Sequence, residues 1–424
     1  MPKRSGYTRR DFMKRVAAAG AVAGVSGPAA FQRAFADVEK SLIFSVNHCP
    51  SHDGRLRHRG LDALLDLLAD NGLKFYRASA PHPWGGPDGV IAHDDVVLIK
   101  VNCQWKCRGT TNTDVLRGLI HRILRHPDGF TGEVAIFENG QGRGAFDGSS
   151  PSPDSYTEPA VQGVHVNAEE ETLLSVDYLV NTVFAGQPVS SFLLDTHRST
   201  FLPGSEHSLP GYRKFTPPDG ALVSYPCFTT GGGNRIELRE GRWTGSAYAD
   251  NVKLINLPVL KDHGGSGMTG VLKHFYGVVS MQDSTSANRH YTDIGTQIGK
   301  MWQHVRMPDL NILDCIWVSH NALRGYPPSN TRRCDILLSG ADPVAMDYYA
   351  SKRILLPLGG SQAARHDPDT FDGLKNMLLA GAQTYINANG GIHGEPTRVG
   401  DANIEVISRD ASIAASRSPW RLYS

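Results

Sequence analysis

The chain has 424 residues, with 43 lysines and arginines against 42 aspartates and glutamates, a formal net charge of +1. That length allows a large core and one to three domains, and the balanced charge gives no compositional reason to expect nucleic-acid binding. With 45 glycines and 25 prolines, the chain reads as loop-rich.

The N-terminus reads as an address rather than as fold. Thr8-Arg9-Arg10-Asp11-Phe12-Met13-Lys14 matches a twin-arginine export signal, followed by an apolar, Ala/Gly-rich stretch from Val16 to Phe31. Ala34-Phe35-Ala36 offers a small-x-small cleavage site before Asp37. Residues 1–36 are therefore expected to be a signal peptide handled by the twin-arginine translocase. No stable membrane span is expected after cleavage, because the apolar stretch is short and glycine-rich. The mature protein is expected in the periplasm or secreted. Export in the folded state favours a metal ion or cofactor inserted beforehand, and leaves a redox partner open.

From Asp37 onward, strand-like and helix-like segments alternate. Ser41–Val46 is a short apolar run, and Leu61, Leu64, Leu65 and Leu68 recur at helical spacing before Gly72. Val96-Val97-Leu98-Ile99 reads as a buried strand. Leu116, Leu119, Ile120, Ile123 and Leu124 form a helical stripe, with Asn112 or Thr113 as its cap. Glu133–Glu138 and Phe192–Leu194 are strand-like. Asn167 and Glu170 resemble a capping box before Leu173, Leu174, Val176 and Leu179. Segment 196–250 breaks the rhythm and reads as an insertion with short irregular strands.

Alternation resumes with a strand at Val252–Leu257 and a helix near Thr269–Val278. A further helix carries Ile294, Ile298, Met301, Trp302 and Val305. Strands at Leu310–Val318 and Asp335–Ser339, helices from Pro343 and over Phe371–Tyr385, and a strand at Ile404–Ile407 complete the order. The pattern predicts an α/β fold: a mainly parallel, doubly wound sheet with helices on both faces, forming one domain over 37–424 with the insertion at about 196–250.

In such a sheet ligands bind beyond the carboxyl ends of the strands, so polar residues following strands should share one rim. The segment Asn256–Gly277 is the richest in them: Lys261, Asp262 and His263, then Gly264, Gly265 and Gly267, then Lys273 and His274. A glycine-rich turn leading into a helix exposes backbone N–H groups that favour an anion. Lys100 and Asn102 end the Val96 strand, Glu138 ends the Glu133 strand, and Asp342 follows the Asp335 strand. Lys100, Lys261 and Lys273 are candidate anion-binding groups, Lys100 and Lys261 are candidate catalytic groups, and His263 is a candidate proton carrier.

His48, Cys49 and His52 with Cys103-x-x-x-Cys107 have the residue types of a thiolate–imidazole metal site, although a disulfide or packed thiols account for the same cysteines. The four-cysteine ferredoxin run, the GxSxG elbow, the Walker A loop and the HExxH motif are absent, and no dinucleotide GxGxxG correctly follows a strand.

The ordered pieces Val97-Leu98-Ile99-Lys100-Val101-Asn102, Thr113-Asp114, Leu257-Pro258-Val259-Leu260-Lys261-Asp262-His263, Thr269, Leu272-Lys273-His274-Phe275-Tyr276-Gly277, Leu313-Asp314 and Gly340-Ala341-Asp342-Pro343-Val344-Ala345-Met346-Asp347 resemble the domain of unknown function 362 family. The resemblance spans about 95–350, interrupted by the insertion. It implies an α/β architecture and adds Thr113, Asp114 and Thr269 to the candidate binding residues. The chain departs from that family at Lys273-His274, where Lys-Asn is common, and at Asp262, where Thr or Ser is usual. It also lacks the ferredoxin-like cysteine module many members carry. A shorter similarity, of Gly265-Ser266-Gly267 and Lys273 to nickel-pincer lactate racemases, hints at a cofactor on Lys273.

The leading expectation is an exported metal- or cofactor-dependent enzyme, of redox or related chemistry, acting on a small anionic substrate. A cofactor-free hydrolase or lyase of an acidic or phosphorylated sugar and a non-catalytic periplasmic binding protein are the alternatives.

Overall fold

Neighbouring residues of Val96–Lys100 enter different hydrophobic clusters: Val96 and Leu98 one, Val97 and Ile99 the other. A strand buried on both sides belongs to a sheet covered on both sides. The computed structural model describes residues 40–50, 56–105, 107–140, 144, 146–147, 166–169, 173–216, 223–279, 294–388, 400–401 and 404–412. The leader 1–36, His52 and Glu170 lie outside the described residues.

The principal strands and helices, in chain order, are β1 (Ser41–Asn47), α1 (Arg59–Asp70), β2 (Val96–Lys100), α2 (Thr113–Leu124), β3 (Glu133–Glu138) and β4 (Val189–Leu193). Then come β5 (Gly211–Phe215), β6 (Val223–Thr229), β7 (Arg235–Glu237), β8 (Gly241–Trp243) and β9 (Tyr248–Ala249). The C-terminal part holds β10 (Val252–Asn256), β11 (Val259–His263), β12 (Gly267–Thr269), α3 (Val271–His274), α4 (Ile294–His304), β13 (Leu310–Ser319), β14 (Thr331–Gly340), α5 (Pro343–Ala350), α6 (Asp372–Ala388) and β15 (Ile404–Asp410).

The central sheet has ten strands, its main path running β15-β1-β14-β13-β10-β2-β3-β4. The pairs β13–β10, β10–β2, β2–β3 and β3–β4 are parallel, as are β1–β15 and β11–β13. β14 alone of the main path runs against its neighbours. Helices α1 and α2 cover one face through Leu61, Leu64, Leu65, Leu116, Leu119 and Ile120. On the other face lie α3, α4, α5 and α6, through Leu272, Ile298, Met301, Met346 and Leu374. The predicted α/β fold with helices on both faces is thus observed. Among the described residues no helix is long and apolar enough to cross a membrane.

Segment 196–250, read as an insertion with short irregular strands, does carry short strands, and they pair into one five-stranded antiparallel sheet ordered β9-β8-β7-β6-β5. Its Tyr212, Phe228, Ile236 and Leu238 join the same core as α3 and α4. The predicted capping box at Asn167 is not what starts the next helix. Ser175 caps Val176–Tyr178 by accepting from Tyr178 N, while Asn167 donates its amide to Thr110 O.

Candidate active site

Parallel pairing places Lys100 of β2 beside Asn256 of β10 and Phe137 of β3, so three strand ends stop at one level. Lys100 is buried there, and its Nζ has three acceptors for three N–H groups. It donates to Glu138 Oε1 at 2.6 Å and Val101 O at 2.8 Å, and it lies 3.2 Å from His274 Nε2. The amide of Asn256 settles the tautomer of that ring. Its Nδ2 donates to Val271 O and to Asn311 Oδ1, both at 3.1 Å, so Oδ1 faces His274 Nδ1 at 2.7 Å and accepts its proton. His274 Nε2 then offers a lone pair to Lys100. Burial first, and then the Lys100 charge, hold His274 well below the ordinary imidazole range.

Glu138 is the counter-ion. Burial pushes its carboxyl up, while Lys100 pulls it back. Asn139 N donates to Oε1 at 2.8 Å and Cys103 N to Oε2 at 3.1 Å. Three donors on two oxygens are the environment of an ionised carboxylate. Glycine is required at 277, because a Cβ there would stand 2.8 Å from Glu138 Oε1 and 3.0 Å from Lys100 Nζ.

Lys261 is held differently. It lies on β11 opposite Thr269 of β12, and both are buried. Its Nζ donates to Gly109 O at 2.5 Å and Asn102 Oδ1 at 3.1 Å, which are neutral acceptors. No described carboxylate forms an ion pair with it, and Glu138 acts on it only from further away. Burial lowers its amine to about 7, helped by the charges of Lys273 and Lys100. Lys273 of α3 is also lowered to about 7 by burial, with its Nζ 5.7 Å from the Tyr276 ring. Three amines, Lys100, Lys261 and Lys273, are thus buried in this part of the fold, and of them only Lys100 is paired with Glu138.

The glycine-rich turn is not the expected strand-to-helix anion loop. Val259–His263 and Gly267–Thr269 form a hairpin, and Gly264 and Gly265 lie in its turn. Gly267 has φ +76° and its Cα side faces Arg365 O, with no room for a Cβ. The predicted helix shrinks to α3 and a 3₁₀ turn at Phe275–Gly277. Its first N–H groups are already bound, Val271 N to Asp347 Oδ1 at 2.6 Å and Leu272 N to Asp347 Oδ2 at 2.9 Å. Burial lifts the Asp347 carboxyl to about 7. Of the other hairpin residues, His263 Nδ1 accepts weakly from Ser266 N at 3.4 Å. Asp262 ties the hairpin to the C-terminal segment through Arg365 and His366.

Several other candidates occupy structural positions. Asn112 is the cap of α2, and Thr113 follows it, donating its N–H to Asn167 O. Asp114 pairs with Arg117 and accepts from Glu169 N. Asp342 caps α5, accepting from Val344 N and Ala345 N, and holds Ser41 Oγ. Since β14 is antiparallel, the chain beyond it leaves the sheet in the direction opposite to that after β2, β3 and β10. Asp342 therefore does not follow the rim rule that suggested it.

The cysteine–histidine set is dispersed. His48 is exposed and pairs with Asp410, whereas Cys49 is buried against Val46 O and beside Gly60. Burial pushes the Cys49 thiol up. Cys103 borders a small cavity of about 20 Å³ shared with Asn102, Thr110 and Thr111, which has room for a single water. Neither Cys103 and Cys107 nor the other four cysteines form a disulfide. Among the described residues no group of three or more His, Cys, Asp or Glu side chains is placed to hold a metal ion. Sequence reasoning undervalued His274 and missed Asn256, whose only signal was a polar residue at the end of a buried strand.

No curated protein and no solved structure matches the chain. The model of a family described as Domain of unknown function (DUF362) matches residues 228–352, the stretch that supplies Lys261, Lys273, His274 and Asp347.

Proposed function

We propose that this chain is an enzyme that moves a proton on a small anionic substrate, with Lys261 as the proton-carrying group. The observation that carries the reading is a buried amine held by two neutral acceptors and by no carboxylate. An isolated buried ammonium is costly, so the site either keeps Lys261 neutral or receives an anion. With its value near 7, Lys261 can take a proton at neutral pH and return it. Lys100 plays another part than the one expected of it. Its three N–H groups are engaged, so it acts as a fixed positive charge, locked between Glu138 and His274, that disfavours a second charge on Lys261.

Lys273, a second buried amine lowered to about 7 whose charge acts on Lys261, is the other basic group of the site. A carboxylate and a phosphate suit Lys261 and Lys273 equally, whether on a substrate or on a cofactor inserted before export. In this reading the twin-arginine leader delivers the folded enzyme to the periplasm or beyond.

The test is hydrogen exchange in deuterium oxide. Carboxylates and phosphate esters bearing an acidic C–H are incubated with the protein, and loss of that proton is followed by NMR. Exchange that rises through a limb near pH 7 and vanishes in Lys261→Met is the expected result. Anion-dependent thermal stabilisation without exchange would mark a binding protein instead, and neither signal would end the proposal.

A further inference from the structure

A cleft of about 680 Å³ opens at the N-terminal ends of the strands, the end opposite to Lys100. Its floor is made by the N-terminal residues of β2, β3 and β4, and one wall is the Gly231–Asn234 turn of the small sheet. Glu133 holds that wall in place. Its carboxylate accepts from Ser190 Oγ, Thr230 Oγ1, Gly232 N and Asn234 Nδ2, at 2.5 to 2.8 Å. Four donors satisfy it, so Glu133 builds the cleft rather than binding in it.

Arg242 is the unsatisfied member. Asn234 Oδ1 accepts from its Nη1 at 3.3 Å, and Asn251 Oδ1 accepts from its Nε at 3.0 Å. Both amides are themselves fixed, Asn234 by Glu133 and Asn251 by donating to Asp94 O at 3.2 Å. A guanidinium has five N–H groups. Two are used here, so one on Nη1 and both on Nη2 have no acceptor among the described residues. The fork is thus held rigidly at the side of a ligand-sized cleft with its end-on donors free.

The rest of the lining is mixed, with the polar groups of Thr131 and Gln187 beside the aliphatic Val96, Val180, Pro188 and Val189 and no aromatic ring among the lining residues. These polar groups match hydroxyls, which donate and accept at each oxygen. The charges nearby limit the anion. Asp94 and Glu133 oppose the single cation of Arg242, which favours a monoanion over a phosphate dianion. We propose that this cleft binds a hydroxyl-rich monocarboxylate, a sugar acid of the uronate type, with the carboxylate on the fork of Arg242. The site is separate from the lysines and stands whether or not the reading of Lys261 holds.

Calorimetric titration of the full chain with glucuronate, galacturonate, glucose and glucose 6-phosphate tests it. Saturable binding of a uronate is expected, weakened about tenfold or more by Arg242→Gln and unaltered by Lys261→Met. Asp94→Asn, at an exposed position, should tighten uronate binding about twofold, and this arm does not depend on the folding of the arginine variant. The proposal is overturned by absence of uronate binding, by equal affinity for glucose, by tighter binding of glucose 6-phosphate, or by indifference to both substitutions.

Discussion

Replacing Lys261 by methionine should stabilise the protein at pH 7 and destabilise it at pH 9.5. The unfolded chain carries an ordinary lysine near 10.5, whereas the folded amine lies near 7. A base with a lowered folded value leaves the unfolded state holding more protons, so stability rises with pH between those two values. Each pH unit of that gap is worth about 1.4 kcal/mol. At pH 7, with the folded amine half protonated, the ionisation penalty removed by methionine is about 4 kcal/mol. Against it stand the hydrogen bonds to Gly109 O and Asn102 Oδ1. Losing both costs about 2–3 kcal/mol. The balance is a gain of about 1–2 kcal/mol at pH 7. At pH 9.5 only about 1 kcal/mol of penalty is left, and the variant becomes less stable by about 1–2 kcal/mol. Urea unfolding of both proteins at the two pH values measures this change of sign. A variant destabilised equally at both would refute the idea that Lys261 is a strained, uncompensated amine.

Three further perturbations probe the same neighbourhood. Glu138→Gln leaves Lys100 buried without its carboxylate and should lower stability by about 3–5 kcal/mol, read from the urea midpoint. It should also lower the Lys261 value further, because Glu138 is the larger of the charges that raise it, and NMR titration of the amine would show the direction. Gly277→Ala drives a methyl against Glu138 and Lys100 and should cost about 1–3 kcal/mol in the same assay. Asn112→Ala removes the cap of α2, accepting from Asp114 N and Val115 N. It should cost about 1 kcal/mol while leaving any proton exchange at Lys261 intact.

The order of strands and helices was readable because burial imposes a period of two or of 3.6 on the apolar residues, as in Val96–Lys100 and Leu116–Leu124. The rim followed from that order for Lys100, Asn102 and Glu138. Strand direction has no such signature: β14 alternates in the same way whether parallel or antiparallel, and Asp342 was misplaced for that reason. β11 escaped notice because its Lys261, Asp262 and His263 are polar residues in a fully buried strand, which pattern reading assigns to a loop. The capping of α3 by Asp347, 76 residues on from Val271, is a tertiary event that no local window contains. His274 looked like an ordinary helical residue until the Asn256 amide gave its ring an orientation.

The contact between Lys100 and His274 joins residues 174 positions apart, with the whole small sheet between them in the chain. Lys261 likewise reaches back 159 positions to Asn102. Neither half of the sequence contains the chemistry alone. In a nascent or truncated chain Lys100 and Lys261 are ordinary solvated lysines, protonated at neutral pH. Closure of the sheet is thus the event that lowers the Lys261 amine, so a lysine titrating near 7 exists only in a molecule that has finished folding.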